Sequence, residues 1–239
     1  MDALPHKNRE KAMSLLHSFY AWGQILTVAV TTLLLAALGG SAWPGILLGW
    51  TVLPVITGFL FLRAPLPKRV EAHEAMPIRR LARSPLFIIA FFAMIFGGAS
   101  ELSMSQWTSS FLERAMALPK VWGDILGMSG FALMMGLGRL AHGLFGERAR
   151  LQPLLIGGSL GAAGLYVLAA LSGSGALAAA ACGLTGLCVS LLWPGTLMVC
   201  ARALPLAGAS MFALLSAGGD LGCALGPSLT GLVSDAAAV

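Results

Sequence analysis

The chain has 239 residues, of which 57% are hydrophobic and only 10% are charged. Soluble domains carry about 25% charged residues, so a soluble globular protein is excluded. The net charge of +5 comes with no RNP-type, zinc-finger or basic-helix signature, which argues against a nucleic-acid partner.

Seven apolar stretches fill the sequence, over 12–38, 42–63, 85–113, 119–147, 152–172, 175–203 and 206–234. Each reaches the ~20 residues that a helix rising ~1.5 Å per residue needs to cross ~30 Å of hydrocarbon. The predicted fold is therefore all-α, a polytopic membrane helical bundle with the lipid bilayer as its solvent. The residues before the first stretch are polar. That stretch is too long for the h-region of a signal peptide and shows no clear cleavage site.

The first span carries His17, Tyr20 and Gln24 on one face, at spacings of three and four residues. A polar stripe on an apolar helix points inward. Gln24 is the deeper residue and the better ligand candidate. His17 lies near the span end and is either a titrating gate or relay or an ordinary polar residue at a helix end. In the second span, Pro54 favours a kink without polar company, and Trp43 reads as an interface anchor, as does Trp122 further on.

The segment 64–84, APLPKRVEAHEAMPIRRLARS, is the longest internal polar stretch. Its prolines and basic residues make it a linker, with room for a short amphipathic helix at the membrane surface. It divides the chain into two spans before it and five after it.

The third span holds GGASELSMSQWTSSFLE, in which Gly97, Glu101, Ser105 and Thr108 share one small, polar helix face. A carboxylate at mid-membrane depth costs several kcal/mol unless it is neutral, paired or wetted. Glu101 is thus a candidate for proton or ion coupling, or else an acid that ties helices together by hydrogen bonding. Gln106 and Trp107 lie around the side of the same helix. An indole beside hydrogen-bonding groups suits a sugar or another polar organic solute, although a Trp packed between helices is the simpler reading. The fourth span ends GLGRLAHGLFGERAR. Arg139 is expected to snorkel toward the inner surface or cap helix carbonyls there, joined by Arg148 and Arg150 in the inner loop, with Gly136 and Gly138 allowing close packing.

Trp193-Pro194-Gly195 predicts a kink or hinge in the sixth span. In the seventh, Gly218, Gly222 and Gly226 repeat every four residues, a spacing that lets two helix backbones approach closely, and Pro227 follows as a further kink. Asp220, within that run, is the second mid-span carboxylate and a second coupling candidate. The segments 14–24 and 210–220 form a weak internal repeat that places Gly23 on Gly219 and Gln24 on Asp220, and parallel repeats are a common transporter design.

Loops assigned alternately from an inner N-terminus put Lys7, Arg9, Lys11, Arg63, Lys68, Arg69, Arg79, Arg80, Arg83, Arg139, Arg148, Arg150 and Arg202 inside, and only Arg114 and Lys120 outside. Thirteen against two fixes the orientation by the positive-inside rule, with a cytoplasmic N-terminus in a plasma or inner membrane. Cys182, Cys188, Cys200 and Cys223 all lie in apolar runs without C-x-x-C spacing, so neither a metal nor a disulfide is expected, and no cofactor motif is present. The absence of a P-loop or a hydrolase elbow argues against an enzyme or a primary pump.

Four segments together resemble the major facilitator superfamily, in its fucose-permease-like, sugar-type branch: HSFYAWGQ in the first span, SELSMSQWTSSFLE in the third, GLGRLAHG with GERAR at the end of the fourth, and LLWPGTLMVCARALP followed by MFALLSAGGDLGCALGPSLTGLVSD in the last two. They are similar to the family's helices five, seven, eight to nine, and ten to eleven. His142 stands where that family offers an Asp. The resemblance implies twelve helices in two halves, of which this chain supplies seven. Residues 1–63 would be the last two helices of the N-terminal half, 64–84 the cytoplasmic linker, and 85–239 five helices of the C-terminal half. It also implies secondary active transport of a small solute by alternating access, coupled to protons or sodium. Gln24, Glu101, Gln106, Trp107, Trp193 and Asp220 would line the solute site, and Glu101, Asp220 and His17 would serve coupling. The chain would then be a fragment covering helices five to eleven, with helices one to four and twelve absent and Met1 an internal methionine or a fragment boundary; in the scaffold reading the missing helices come from another chain. The competing readings are a non-transporting membrane scaffold or partner subunit, and a seven-span receptor or membrane enzyme, for which no nucleophile–base or metal constellation is present.

Overall fold

The computed structural model describes residues 9–64, 76–146 and 149–236. The helices are α1 (Arg9–Leu38), α2 (Trp43–Trp50), α3 (Val52–Arg63), α4 (Ile78–Leu81), α5 (Pro85–Arg114), α6 (Lys120–Trp122), α7 (Gly130–Phe145), α8 (Leu151–Leu171), α9 (Gly175–Val189), α10 (Leu192–Ala203) and α11 (Gly208–Ala236). No strand occurs among the described residues. A lipid-facing chain must satisfy its backbone within each segment, and the helix does this. Seven stretches are long and apolar enough to cross a membrane, and they match the seven expected: Lys11–Leu38, Gly40–Arg63, Pro85–Arg114, Lys120–Phe145, Leu151–Leu171, Gly175–Ala203 and Pro205–Ala236.

Four of these spans are not continuous α-helices, the seventh because it opens with the 3-10 turn Pro205–Ala207. The second breaks between Trp50 and Val52, and the sixth between Val189 and Leu192. Both breaks have the same cause. Pro54 and Pro194 lack an N–H, and each leaves the carbonyl four residues earlier, at Trp50 and Ser190, without its helical donor. In the fourth span α6 runs into a π-helical stretch, Gly123–Ser129, before α7 begins. Two corners require left-handed backbone and use glycine for it: Gly39 at φ 84° after α1, and Gly208 at φ 51° at the start of α11.

α5 is the central helix. It packs along α11 for most of its length and also meets α9, α10 and the π-helical stretch. The seam with α11 is built from backbone. A Cβ on Gly222 would collide with the main chain of Ile95, and one on Gly226 would lie 2.7 Å from the Cα of Ala99. Gly218 faces the ring of Phe91. The predicted glycine ladder therefore faces α5. α1 lies on α7, α7 on α9, and α8 on α9. One core gathers Ala21, Met104, Phe131, Met135, Cys182 and Val189. A second gathers Leu81, Phe87, Met94, Leu197, Met211 and Leu215. The second span stands apart, with Ile46 buried in α2 and no buried residue in α3.

Candidate functional site

The densest polar contacts in the bundle centre on Arg139. The sequence places it about two turns from the inner end of its span, either snorkelling toward the loop or capping helix carbonyls, and the carbonyl contacts are the part that the structure bears out. The structure instead buries it on α7 at 2% exposure. Its Nη2 lies 3.1 Å from Oε2 of Glu101 on α5. Its Nη1 donates to the main-chain carbonyl of His17 on α1 at 3.1 Å, and its Nε donates to the carbonyl of Ser190 at 2.9 Å. The Ser14 hydroxyl returns a bond to the carbonyl of Arg139 at 2.7 Å, and the guanidinium sits 5.7 Å from the ring centroid of Tyr20. The physical reason for the correction is desolvation. A lone buried charge is far more costly than one with an opposite charge and hydrogen-bond partners, and Glu101, itself 8% exposed, supplies the charge.

The local sequence makes the approach feasible. Gly136 faces Ala21 and Trp22 of α1, and a Cβ on Gly138 would run into the Ser190 side chain. The carbonyl that Nε reaches is the one Pro194 leaves without a helical donor. One arginine thus joins α1, α5, α7 and the α9–α10 break.

The face of α5 expected to be polar is fully packed. Gly97, Glu101, Ser105 and Thr108 are all buried. Gly97 faces Leu192, and Thr108 lies against Gly127. The Ser105 hydroxyl accepts from Nε2 of Gln24 at 2.6 Å. The other end of that amide, Gln24 Oε1, is buried and accepts no hydrogen bond from the protein. A second buried carboxylate lies nearer the Lys120 end of the fourth span. Asp124 accepts from the Thr32 hydroxyl at 3.0 Å and from the Ser109 hydroxyl, and pairs with Lys120 at 3.2 Å.

The remaining sequence-predicted residues are placed as follows. Trp107 donates from Nε1 to the carbonyl of Pro227 at 2.9 Å, which straps α5 to α11. Trp193 packs its ring against Gly219 on α11. Both indoles therefore fill helix seams. Gln106 and Asp220 are exposed, and the Asp220 carboxylate makes no hydrogen bond or ion pair among the described residues. His17 is half-buried, and the bond that ties it to Arg139 runs through its carbonyl. Arg150 is exposed just before α8; Arg148 lies outside the described residues. Gln24 and Glu101 thus come together through Ser105 and Arg139, while Gln106 and Asp220 do not join them. A cleft lined by Trp107, Ser110, Phe111, Arg114, Ala115, Thr230 and Ser234 does not include Gln24 or Glu101. No group of three or more metal-ligating side chains occurs among the described residues.

Sequence reasoning missed two partners. Arg139 was legible in principle, because an arginine among small residues inside a span needs a carboxylate and Glu101 lies mid-span. Asp124 sits close to a span boundary, where an acid costs little, and its only sequence signal is Lys120 four residues earlier.

The arrangement holds a net-neutral charge pair in an apolar bundle, beside an unfilled hydrogen-bond acceptor. The Major Facilitator Superfamily family model matches residues 1–227. No curated protein and no solved structure gives a match. The seven spans agree with that family match, which covers nearly the whole chain: the protein is a membrane transporter that belongs to the major facilitator superfamily.

Proposed function

We propose that this transporter moves a small polar organic solute of the sugar type by alternating access, and that the Glu101–Arg139 pair couples solute movement to a proton or sodium gradient. The observation that carries this reading is the buried pair itself. It is the charged junction at which α1 meets α5, α7 and the α9–α10 break. A change of charge at Glu101 would free the guanidinium and loosen three helix contacts at once. That is what a coupling group must do: turn an ion-binding event into helix movement.

Gln24 is the solute contact that geometry favours. A buried carbonyl oxygen without a donor costs ~1–3 kcal/mol, and a solute hydroxyl would satisfy it. Asp220 and Gln106, exposed on α11 and α5, are assigned to the solute path, and His17 to gating beside Arg139. The lysine and arginine asymmetry supports a cytoplasmic N-terminus in a plasma or inner membrane. Residues 1–63 and 85–239 then belong to the two moving halves.

Uptake into proteoliposomes, with a panel of sugars and other polar solutes under imposed proton or sodium gradients, tests this reading. Accumulation that depends on one gradient supports it. A chain that reconstitutes folded and moves no solute under either gradient contradicts it, and leaves the scaffold reading.

A further inference from the structure

α1 is fastened to its neighbours at three heights. At one end Ser14 and His17 hold Arg139, in the middle Gln24 holds Ser105, and toward the other end Thr32 holds Asp124. The last of these ties differs in chemistry from the first. Asp124, Ser109 and Thr32 are 7%, 3% and 8% exposed, on three different spans. Yet the cation that balances Asp124 is Lys120, whose side chain is 61% exposed. The carboxylate is therefore held by two hydroxyls and an exposed ammonium rather than by a buried guanidinium. It also sits at the start of the π-helical stretch Gly123–Ser129. Such stretches are rare and concentrate at functional sites. Here the glycines let α5 come close: a Cβ on Gly123 would lie 3.1 Å from the Ser109 carbonyl, and one on Gly127 would collide with Thr108.

We propose that Asp124 is a positioning residue for transport, the latch that holds the Lys120-proximal end of α1 against spans three and four and must release for that end to open. This rests on the reading that α1 moves relative to those spans. The bond that defines the latch is Thr32 to Asp124. It can be broken and remade without moving a charge through the bundle, because the Ser109 hydroxyl and Lys120 stay with the carboxylate when α1 leaves. The Arg139 end lacks that freedom, since any departure of α1 there strips the guanidinium of a carbonyl and an aromatic face.

The test is a pair of distance measurements by electron–electron double resonance on the full chain in nanodiscs, with orthogonal, non-cysteine spin labels. One pair, at Ala36 and Val121, reads the latch end. The other, at Leu16 and Leu144, reads the Arg139 end. Thr32→Val keeps the shape and removes the hydroxyl. It should raise the ratio of long to short distances at the latch pair about tenfold, the ratio that ~1.4 kcal/mol sets, and leave the Arg139-end pair unchanged. Thr32→Ser should restore the parent distribution. Should Thr32→Val fail to fold, Thr32→Ala removes the same hydroxyl with less bulk and is expected to act in the same direction. An unchanged latch distribution, a shift in both pairs, or a shift that Thr32→Ser does not reverse would overturn the proposal. Because the readout needs no solute, a latch that responds in a chain that transports nothing would sustain the latch and sink the transport reading. Solute uptake with an unresponsive latch would do the reverse.

Discussion

Arg139 donates from Nε to the carbonyl of Ser190 at 2.9 Å, and that carbonyl is free because Pro194 follows four residues later. A helix-breaking residue on the sixth span thereby creates the acceptor that orients a charge on the fourth. Replacing Pro194 with Ala would supply an N–H to compete for it. Pro194→Ala is expected to leave thermal stability unchanged or slightly higher and to slow solute exchange several-fold, measured as counterflow in proteoliposomes. Faster or unchanged exchange would show that the break does not matter to movement.

The Glu101–Arg139 pair predicts a non-additive stability pattern. Glu101→Gln and Arg139→Gln each leave one buried charge uncompensated, at a cost of ~3–5 kcal/mol. The double variant removes both buried charges and should recover at least half of the summed loss. Unfolding in detergent, followed by denaturant or heat on all four members of the cycle, checks this. Simple additivity would mean that the two side chains do not depend on each other.

The α5–α11 seam depends on the absence of side chains. Gly222→Ala puts a methyl into the main chain of Ile95 and should cost ~1–3 kcal/mol. Gly164, with no neighbouring atom within 4 Å of a Cβ built there, is the matched control. Gly164→Ala should stabilise α8 by ~0.5–1 kcal/mol. Equal effects at the two positions, in the same unfolding assay, would contradict the packing described.

Gln24→Leu separates ligand from fold. It removes one bond to Ser105, worth ~0.5–1.5 kcal/mol, but also removes the unfilled acceptor, so stability should hardly change. Apparent solute affinity should fall about tenfold, the effect of losing one hydrogen bond worth ~1.4 kcal/mol. An unaltered concentration dependence of uptake would remove Gln24 from the solute site.

The spans were legible because length and apolarity leave a membrane helix few alternatives, and the kinks at Pro54 and Pro194 followed from a missing donor. The glycine spacing at Gly218, Gly222 and Gly226 showed that one face of α11 packs closely, but not that α5 is its partner. Side-chain partners across spans were harder to read. Glu101 stood out by depth alone, while its partner Arg139 read as a residue that snorkels or caps helix carbonyls, since periodicity does not say which helix lies opposite. Trp107 and Trp193 show the converse. An indole in a polar context reads as a ligand platform, and here each fills a groove that a glycine or a proline leaves in α11. Asp124 went unread because a boundary position hides the burial that three converging spans impose.

The central claim is that the Glu101–Arg139 pair couples an ion gradient to solute movement. It is tested most directly by comparing two modes of transport in the double variant Glu101→Gln/Arg139→Gln, which removes both charges. In proteoliposomes this variant should retain solute counterflow within a few-fold of the parent and lose gradient-driven accumulation entirely. Accumulation that persists at the parent level under the same gradient would contradict the account.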